Sequence, residues 1–339
     1  MKKNKIWIYA FCILMLLWAI PCGAKDKKYT LKFATLAPEG TTWMTAMHEL
    51  DKEVRELSNG RLKFRFYSGG VMGDELDVLR KMRINQLHGA GFSGQGLGEI
   101  VPEIRVLDLP YLFQDYVQVD YVHSQLYDLF EKKFIQKGYV LMGWAEVGFV
   151  NLFSKTKITH LNDLRNVKLW SWQGDPIAQA TFTSMGLTTI PLPVTDVLTS
   201  LQVGMIDSVY SPPLGALALQ WFTRVNYMIE EPLTHASGSI LVTKKFYDKL
   251  PPDLQKLLKE QFTKHLKTLV KKTRQDNEKS VQTLKKNGII VTKITEYTEL
   301  SEFSEACKKG RATLINKQYS EELLNNVMSL VANAHKESR

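Results

Sequence analysis

Apolar and polar positions alternate from residue 29 onward. Tyr29, Leu31 and Phe33 share one face, which predicts a strand over 28–34. An Ala37-Pro38-Glu39-Gly40 turn follows, and Thr41 is placed to cap a helix that runs to about Leu57. Asn59-Gly60 ends that helix, and Leu62, Phe64 and Phe66 alternate along a second strand, 62–67. Strand, helix and strand in this order seed an α/β sheet with a right-handed crossover. The same unit continues through a glycine-rich turn at 68–73, a helix at 74–84, a short strand at 88–92 and a loop. A helix at 117–137 and a strand at 140–144 complete it.

The pattern then begins again. Strands are expected at 149–153, 168–172, 189–192 and 208–210, with helices at 176–185 and 196–204. Two such units in series predict two lobes, with the chain crossing near 147–149 and again near 232–236. From Asp253, the residues Leu254, Leu257, Leu258, Phe262, Leu266 and Leu269 recur at spacings of three and four, marking one long helix over 253–287. About 30 residues at 1.5 Å each make a rod of roughly 45 Å, longer than one small lobe, so it is expected to bridge both. A strand at 289–294 and two helices close the chain. The expected division is 25–147 with 236–270 in lobe I, and 148–235 with 285–339 in lobe II.

The leader changes the picture most. Lys2, Lys3 and Lys5 precede an uncharged apolar run over 6–20, followed by Gly23 and Ala24 and then by charge at Lys25 and Asp26. That is the layout of a secretory signal peptide over 1–24. The run is shorter than the roughly 20 apolar residues that span a bilayer. Cleavage after Ala24 is favoured over lipidation at Cys22, because Pro21 is a poor neighbour for a lipidated cysteine. Cleavage there leaves only Cys307, so no internal disulfide is expected and stability must come from the core. The 339 residues are 44% hydrophobic and 23% charged, which suffices for such a core. The net charge of +9 is dispersed, and no stretch interleaves basic and aromatic residues, so nucleic acid is not an expected partner.

Most catalytic patterns fail on inspection. Gly94-Gln95-Gly96-Leu97-Gly98-Glu99 begins like a dinucleotide fingerprint, but Glu99 stands where the third glycine belongs, and its carboxylate would repel a pyrophosphate. These glycines are read as a loop. Gly91-Phe92-Ser93-Gly94-Gln95 lacks the final glycine of a nucleophile elbow. The seven histidines are isolated and form no metal-binding spacing, and are read as surface or satisfied core residues. No catalytic residue, metal or cofactor is expected. Trp170 and Trp172 share one face of a strand, as either a core wall or a ligand platform.

From Lys168-Leu169-Trp170 onward the chain resembles the substrate-binding subunits of TRAP (tripartite ATP-independent periplasmic) transporters. The resemblance rests on Phe33-Ala34-Thr35-Leu36-Ala37-Pro38, Gly69-Gly70-Val71-Met72-Gly73-Asp74-Glu75 and Leu107-Asp108-Leu109-Pro110-Tyr111-Leu112-Phe113, and on Pro191-Leu192-Pro193 with the stretch 196–207. It implies a two-lobed periplasmic binding protein fold, each lobe a mixed sheet flanked by helices. It also implies a ligand held in the cleft, a periplasmic location, and release to a membrane permease. No enzymatic role follows from it. An exported sensor or scaffold on the same fold, or a link to an accessory periplasmic protein, stays open.

The chain departs from the family where ligand chemistry is set. Trp170 stands where the family places the arginine that forks onto a ligand carboxylate. Val150 stands at a second family arginine, and Ser211 at a family asparagine. Indole offers an apolar face and one N–H, and cannot replace a bidentate guanidinium. The resemblance therefore implies an apolar or aromatic ligand, unless another basic residue such as Arg83 reads a carboxylate. Trp170 and Trp172 are the expected contacts, with Gln173 and Asp175 supplying polar orientation. Phe92, Ser93 and Gln95 are expected opposite them, Trp144 and Glu146 at the crossing, and Leu214 and Trp221 along the wall.

Overall fold

The computed structural model describes residues 27–294 and 297–337. The expected signal peptide and Cys22 lie outside the described residues. Among the described residues there are ten strands: β1 (Tyr29–Ala34), β2 (Leu62–Tyr67), β3 (Gly89–Ser93), β4 (Tyr139–Ser154), β5 (Leu169–Trp172), β6 (Thr189–Leu192), β7 (Ser208–Ser211), β8 (Tyr227–Ile229), β9 (Thr234–Thr243) and β10 (Ile290–Thr292). They run in the order β2-β1-β3-β9-β4-β7-β5-β6, with β8 joining β4 and β10 to one side. The pairs β1–β2, β1–β3, β5–β6 and β5–β7 are parallel; β9 and β4 are antiparallel to each other and to their other neighbours. Each half is therefore a small parallel sheet, and the antiparallel pair β4–β9 passes between them. This is the mixed α/β, two-lobed architecture expected from the sequence.

Local chemistry sets the element boundaries. The first helix, Thr42–Leu57, starts where Thr41 accepts from the Met44 N–H. Helix Glu75–Arg83 starts on a capping box between Asp74 and Asp77. The long helix is Pro252–Lys286, opened by a proline that needs no donor at that position. Its Leu258, Phe262, Leu266 and Leu269 bury against β1, β2 and the first helix, while Leu284 joins Phe153, Val209 and Trp221 in the second lobe's core. Removing each such side chain from water contributes about 1.5–3 kcal/mol, so this rod is fastened at both ends.

Three expectations need correction. The strands expected at 140–144 and 149–153 are one continuous strand, because bulges at Leu141/Gly143 and Glu146/Gly148 absorb the irregular residues between them. Gly148 has φ 120°, and a Cβ there would sit 2.5 Å from Asn277 Nδ2, so only glycine lets the long helix approach the strand so closely. The loop glycines at 94–98 form a short helix instead, capped by Ser93. Finally, not all of 285–339 lies with the second sheet. Helix Tyr297–Ala312 packs there, but Glu321–Glu337 returns to helix Tyr116–Gln136, and Leu324 and Val327 join the first lobe's core. Cys307 is free and buried.

Candidate functional site

A cavity of about 290 Å³ lies between the two sheets. Of the residues singled out in the sequence, Phe92, Ser93, Gln95, Glu146, Val150, Trp170, Trp172, Asp175, Ser211, Leu214 and Trp221 line it. Trp144 does not. It precedes Ala145 on β4, and its ring turns to the face opposite Ala145, stacks on His123 at 4.6 Å and donates to the His123 carbonyl at 3.0 Å. Gln173 is also absent from the lining; its backbone carbonyl accepts from Gln95 Nε2 at 3.4 Å and its N–H donates to the Leu192 carbonyl at 3.1 Å.

The second-lobe wall is aromatic. Trp170 stacks on Tyr210 at 4.8 Å, meets Trp221 edge-on at 5.3 Å and lies 6.1 Å from Trp172. Both platform indoles have already spent their N–H groups within the protein. Trp170 donates to the Leu192 carbonyl at 3.0 Å and Trp172 to Asp74 at 2.8 Å. They offer the cavity π-faces and no donor. Trp170 is 1% exposed, so it is at once a cavity wall and part of the lobe's core.

Arg105 is the one Lys or Arg side chain among the residues lining the cavity, and sequence reasoning missed it. It sits on a 3-10 turn, Pro102–Asp108, and is buried. Its Nη2 donates to Asp175 at 2.7 Å and its Nη1 lies 3.3 Å from Asp108 Oδ2. Arg83, the basic residue considered from the sequence, is exposed on the surface and does not line the cavity. Asp108 Oδ1 accepts from the Ser237 N–H at 3.0 Å, but its Oδ2 has no hydrogen-bond partner, and neither has Arg105 Nε. Burial pushes the Asp108 carboxyl above its usual range against the pull of Arg105.

The glycine run 94–98 explains how so much charge fits here. A Cβ on Gly94 would overlap Asp108 Oδ2, one on Gly96 would crowd Glu75 Oε2 at 2.6 Å, and one on Gly98 would crowd Arg105 at 2.6 Å. Alternate glycines thus leave room for three ionisable side chains against one short helix. Glu75 accepts from the Ser93 N–H and the Gly96 N–H, both at 2.7 Å, and from the Ser93 hydroxyl at 3.0 Å. Burial, with Asp74 adding to it, still pushes the Glu75 carboxyl up to about 7.

Four of these contacts cross from one lobe to the other. Asp74 accepts from Trp172 and from the Val194 N–H at 2.9 Å, Gln95 reaches Gln173, and Arg105 reaches Asp175. Behind the cavity, Arg274 of the long helix donates to Glu146 at 2.7 Å and to Asp120 at 2.9 Å, and covers the Tyr116 ring at 4.2 Å. Burial pushes Glu146 up, but neighbouring His235 and Arg274 outweigh it and hold its carboxyl below the usual range. His235 is an exception to the reading of satisfied histidines. Its Nε2 lies 3.6 Å from Glu146, beyond hydrogen-bond length, and both ring nitrogens lack partners. Burial also lowers His123 to about 3, so that ring is neutral. Among the described residues, no group of three or more His, Cys, Asp or Glu side chains is arranged to hold a metal ion. No helix among them is long and apolar enough to cross a membrane.

This cleft between two bridged α/β lobes defines a solute-binding protein. A family profile described as bacterial extracellular solute-binding protein, family 7 (DctP), matches residues 33–318, and the chain belongs to that family. It is 26% identical over 250 residues to a solute-binding protein of Verminephrobacter eiseniae, covering 73% of this chain and 74% of that one. It is 21% identical over 312 residues to the C4-dicarboxylate-binding periplasmic protein DctP of Rhodobacter capsulatus, covering 90% of each. The sugar acid binding protein DctPAm of Advenella mimigardefordensis, solved with galactonate, has the same fold. The TM-score is 0.86 at 21% identity, over 91% of this chain and 99% of that one. The TRAP-type family expected from the sequence is therefore shown, and it is a family of binding proteins rather than enzymes.

Proposed function

We propose that this protein captures a small hydrophobic or amphipathic ligand in the interlobe cavity, outside the cytoplasm, and delivers it to a TRAP-type membrane permease. Two of the relatives named above carry acids in their names, so the proposal sets this chain apart from those two at the ligand. The observation that carries it is the state of Arg105. The guanidinium within the cavity wall is paired with Asp175 and Asp108, and Trp170 and Val150 occupy the two positions where a family arginine was expected. A ligand carboxylate entering here would meet carboxylates without a free cation, and an unpaired buried charge costs several kcal/mol. An apolar body would instead replace water against Trp170, Trp172, Trp221 and Phe92.

The test is mass spectrometry of the organic molecule that co-purifies with the mature protein and is released by denaturation. A compound with an apolar or aromatic body, in stoichiometric amount, is the expected result. A small dicarboxylate or sugar acid would overturn the ligand class and leave the family assignment standing.

A further inference from the structure

The turn that leads into helix Glu75–Arg83 is pressed against the other lobe. Gly70 has φ 73°, and a Cβ there would sit 3.2 Å from Thr195 Cγ2 and 3.4 Å from Leu36 Cδ2. Asp74, at the end of that turn, is buried and divides its carboxylate between the lobes. Oδ1 accepts from the Glu75 N–H at 2.7 Å and belongs to the helix cap of its own lobe. Oδ2 accepts from Trp172 Nε1 at 2.8 Å and from the Val194 N–H at 2.9 Å, both in the second lobe. These donors stand at the ends of two paired parallel strands, Trp172 closing β5 and Val194 just beyond β6. Asp74 itself does not line the cavity, whereas Trp172 and Val194 do.

We propose that Asp74 is the latch that holds the two lobes closed and the positioning residue for Trp172. Separating the lobes breaks both bonds to Oδ2 together, while the bond to Oδ1 stays with the first lobe. Each broken bond is one to a carboxylate, the stronger kind. While the latch is made, the Trp172 N–H points at Asp74 and its ring face is fixed against the cavity. Once it opens, that indole is free to turn. The apolar wall is thus completed by closure, and a molecule bound against Trp172 favours the closed state. The inference rests on the binding role given above, but not on the class of ligand proposed there.

The experiment follows hydrogen exchange by NMR in the mature protein, stripped of co-purified molecules by denaturation and refolding. The Trp172 indole N–H and the Val194 amide are the reporters. Val194→Pro deletes one donor, and proline suits this first position of a 3-10 turn after the extended Pro193. Trp172→Phe deletes the other. Each variant is read at the donor it keeps, where exchange is expected to be at least about tenfold faster, a ratio equal to about 1.4 kcal/mol. A purely local role would leave the kept donor as protected as before. Asp74→Ser retains an oxygen able to cap its helix but is too short to reach the second lobe. Both reporters should then exchange about a hundredfold faster, as two bonds are lost. Unchanged exchange at the kept donor in either single-donor variant would overturn the latch and leave Asp74 a helix cap. Unchanged reporters in Asp74→Ser would do the same. Equal acceleration at the Leu241 amide, inside the first lobe's core, would show global unfolding in place of opening and would also overturn it. The single-donor variants decide the matter should Asp74→Ser fail to fold. No ligand is added, so an error in the ligand class leaves the result intact.

Discussion

Two arginines organise this molecule, Arg105 buried and Arg274 partly exposed, and they are paired to different degrees. Arg274, behind the cavity, uses Nε, Nη1 and Nη2 on Glu146 and Asp120 and lies over Tyr116. Arg105, inside the cavity wall, hydrogen-bonds through Nη2 to Asp175, while its Nε and Asp108 Oδ2 stay open. Buried polar groups in native proteins are normally paired. The completed network belongs to the element that ties the long helix to the strand between the lobes. The incomplete one lies in the cavity wall, where Arg105 ties the two lobes through Asp175. Completeness of pairing alone does not mark the cavity, since His235 beside Glu146 also has two unpartnered ring nitrogens.

The largest expected effect comes from breaking the incomplete cluster. Arg105→Leu leaves Asp108 and Asp175 facing each other without their cation and removes an interlobe bond. A loss of about 3–5 kcal/mol is expected, the range for removing one partner of a buried ion pair. Arg274→Leu should cost roughly half as much. Its partner Asp120 is 62% exposed and returns to water, so only Glu146 is left buried. Urea denaturation of both variants measures this, and a costlier Arg274 substitution would reverse the comparison.

Glu75 should give the next effect, as a pH dependence. Burial raises its carboxyl in the folded state from 4.5 to about 7. Between those values the folded chain holds more of the proton than the unfolded chain does. Stability therefore falls as pH rises through the window from about 4.5 to 7, and is flat with respect to this group above it. The full span is on the order of 3 kcal/mol at about 1.4 kcal/mol per pH unit. Urea midpoints from pH 4.5 to 8 should slope less steeply in Glu75→Gln than in the parent. Equal slopes would mean that Glu75 is ionised throughout.

The sequence made the periodic parts of this contrast visible and hid the rest. The long helix, the first strand–helix–strand unit and the shared face of Trp170 and Trp172 follow from spacing, because amphipathic repeats report which face is buried. β9 escaped notice because its first half, Thr234-His235-Ala236-Ser237-Gly238-Ser239, is polar and small, as suits a strand that carries cavity wall rather than core. Arg105 escaped for a related reason. A single arginine in Pro102-Glu103-Ile104-Arg105-Val106-Leu107-Asp108 reads as surface, and its burial depends on Asp175, 70 residues away. The alternating glycines at 94, 96 and 98 were the available signal. They mark close approach by something bulky, though which side chains approach is a tertiary fact. Trp43, which no spacing in the sequence singles out, also lines the cavity, and a Cβ on Gly91 would sit 2.7 Å from its ring.

The smallest expected effect tests whether the interlobe contacts serve closure or only decorate it. Trp172→Phe keeps an aromatic face on the cavity but removes the N–H given to Asp74. Asp74 retains the Val194 N–H at 2.9 Å and the Glu75 N–H at 2.7 Å, so no carboxylate oxygen is stranded. The net loss should then be that of one hydrogen bond to a charged group, about 1.5 kcal/mol, and it should fall on the closed state alone. Global stability in urea should change little, because each lobe keeps its own core. Ligand affinity should weaken by roughly tenfold, and the radius of gyration of the ligand-free protein in solution scattering should increase. An equal loss of global stability with unchanged affinity would place Trp172 in the scaffold beside Arg274, and would leave Arg105 as the main closure contact.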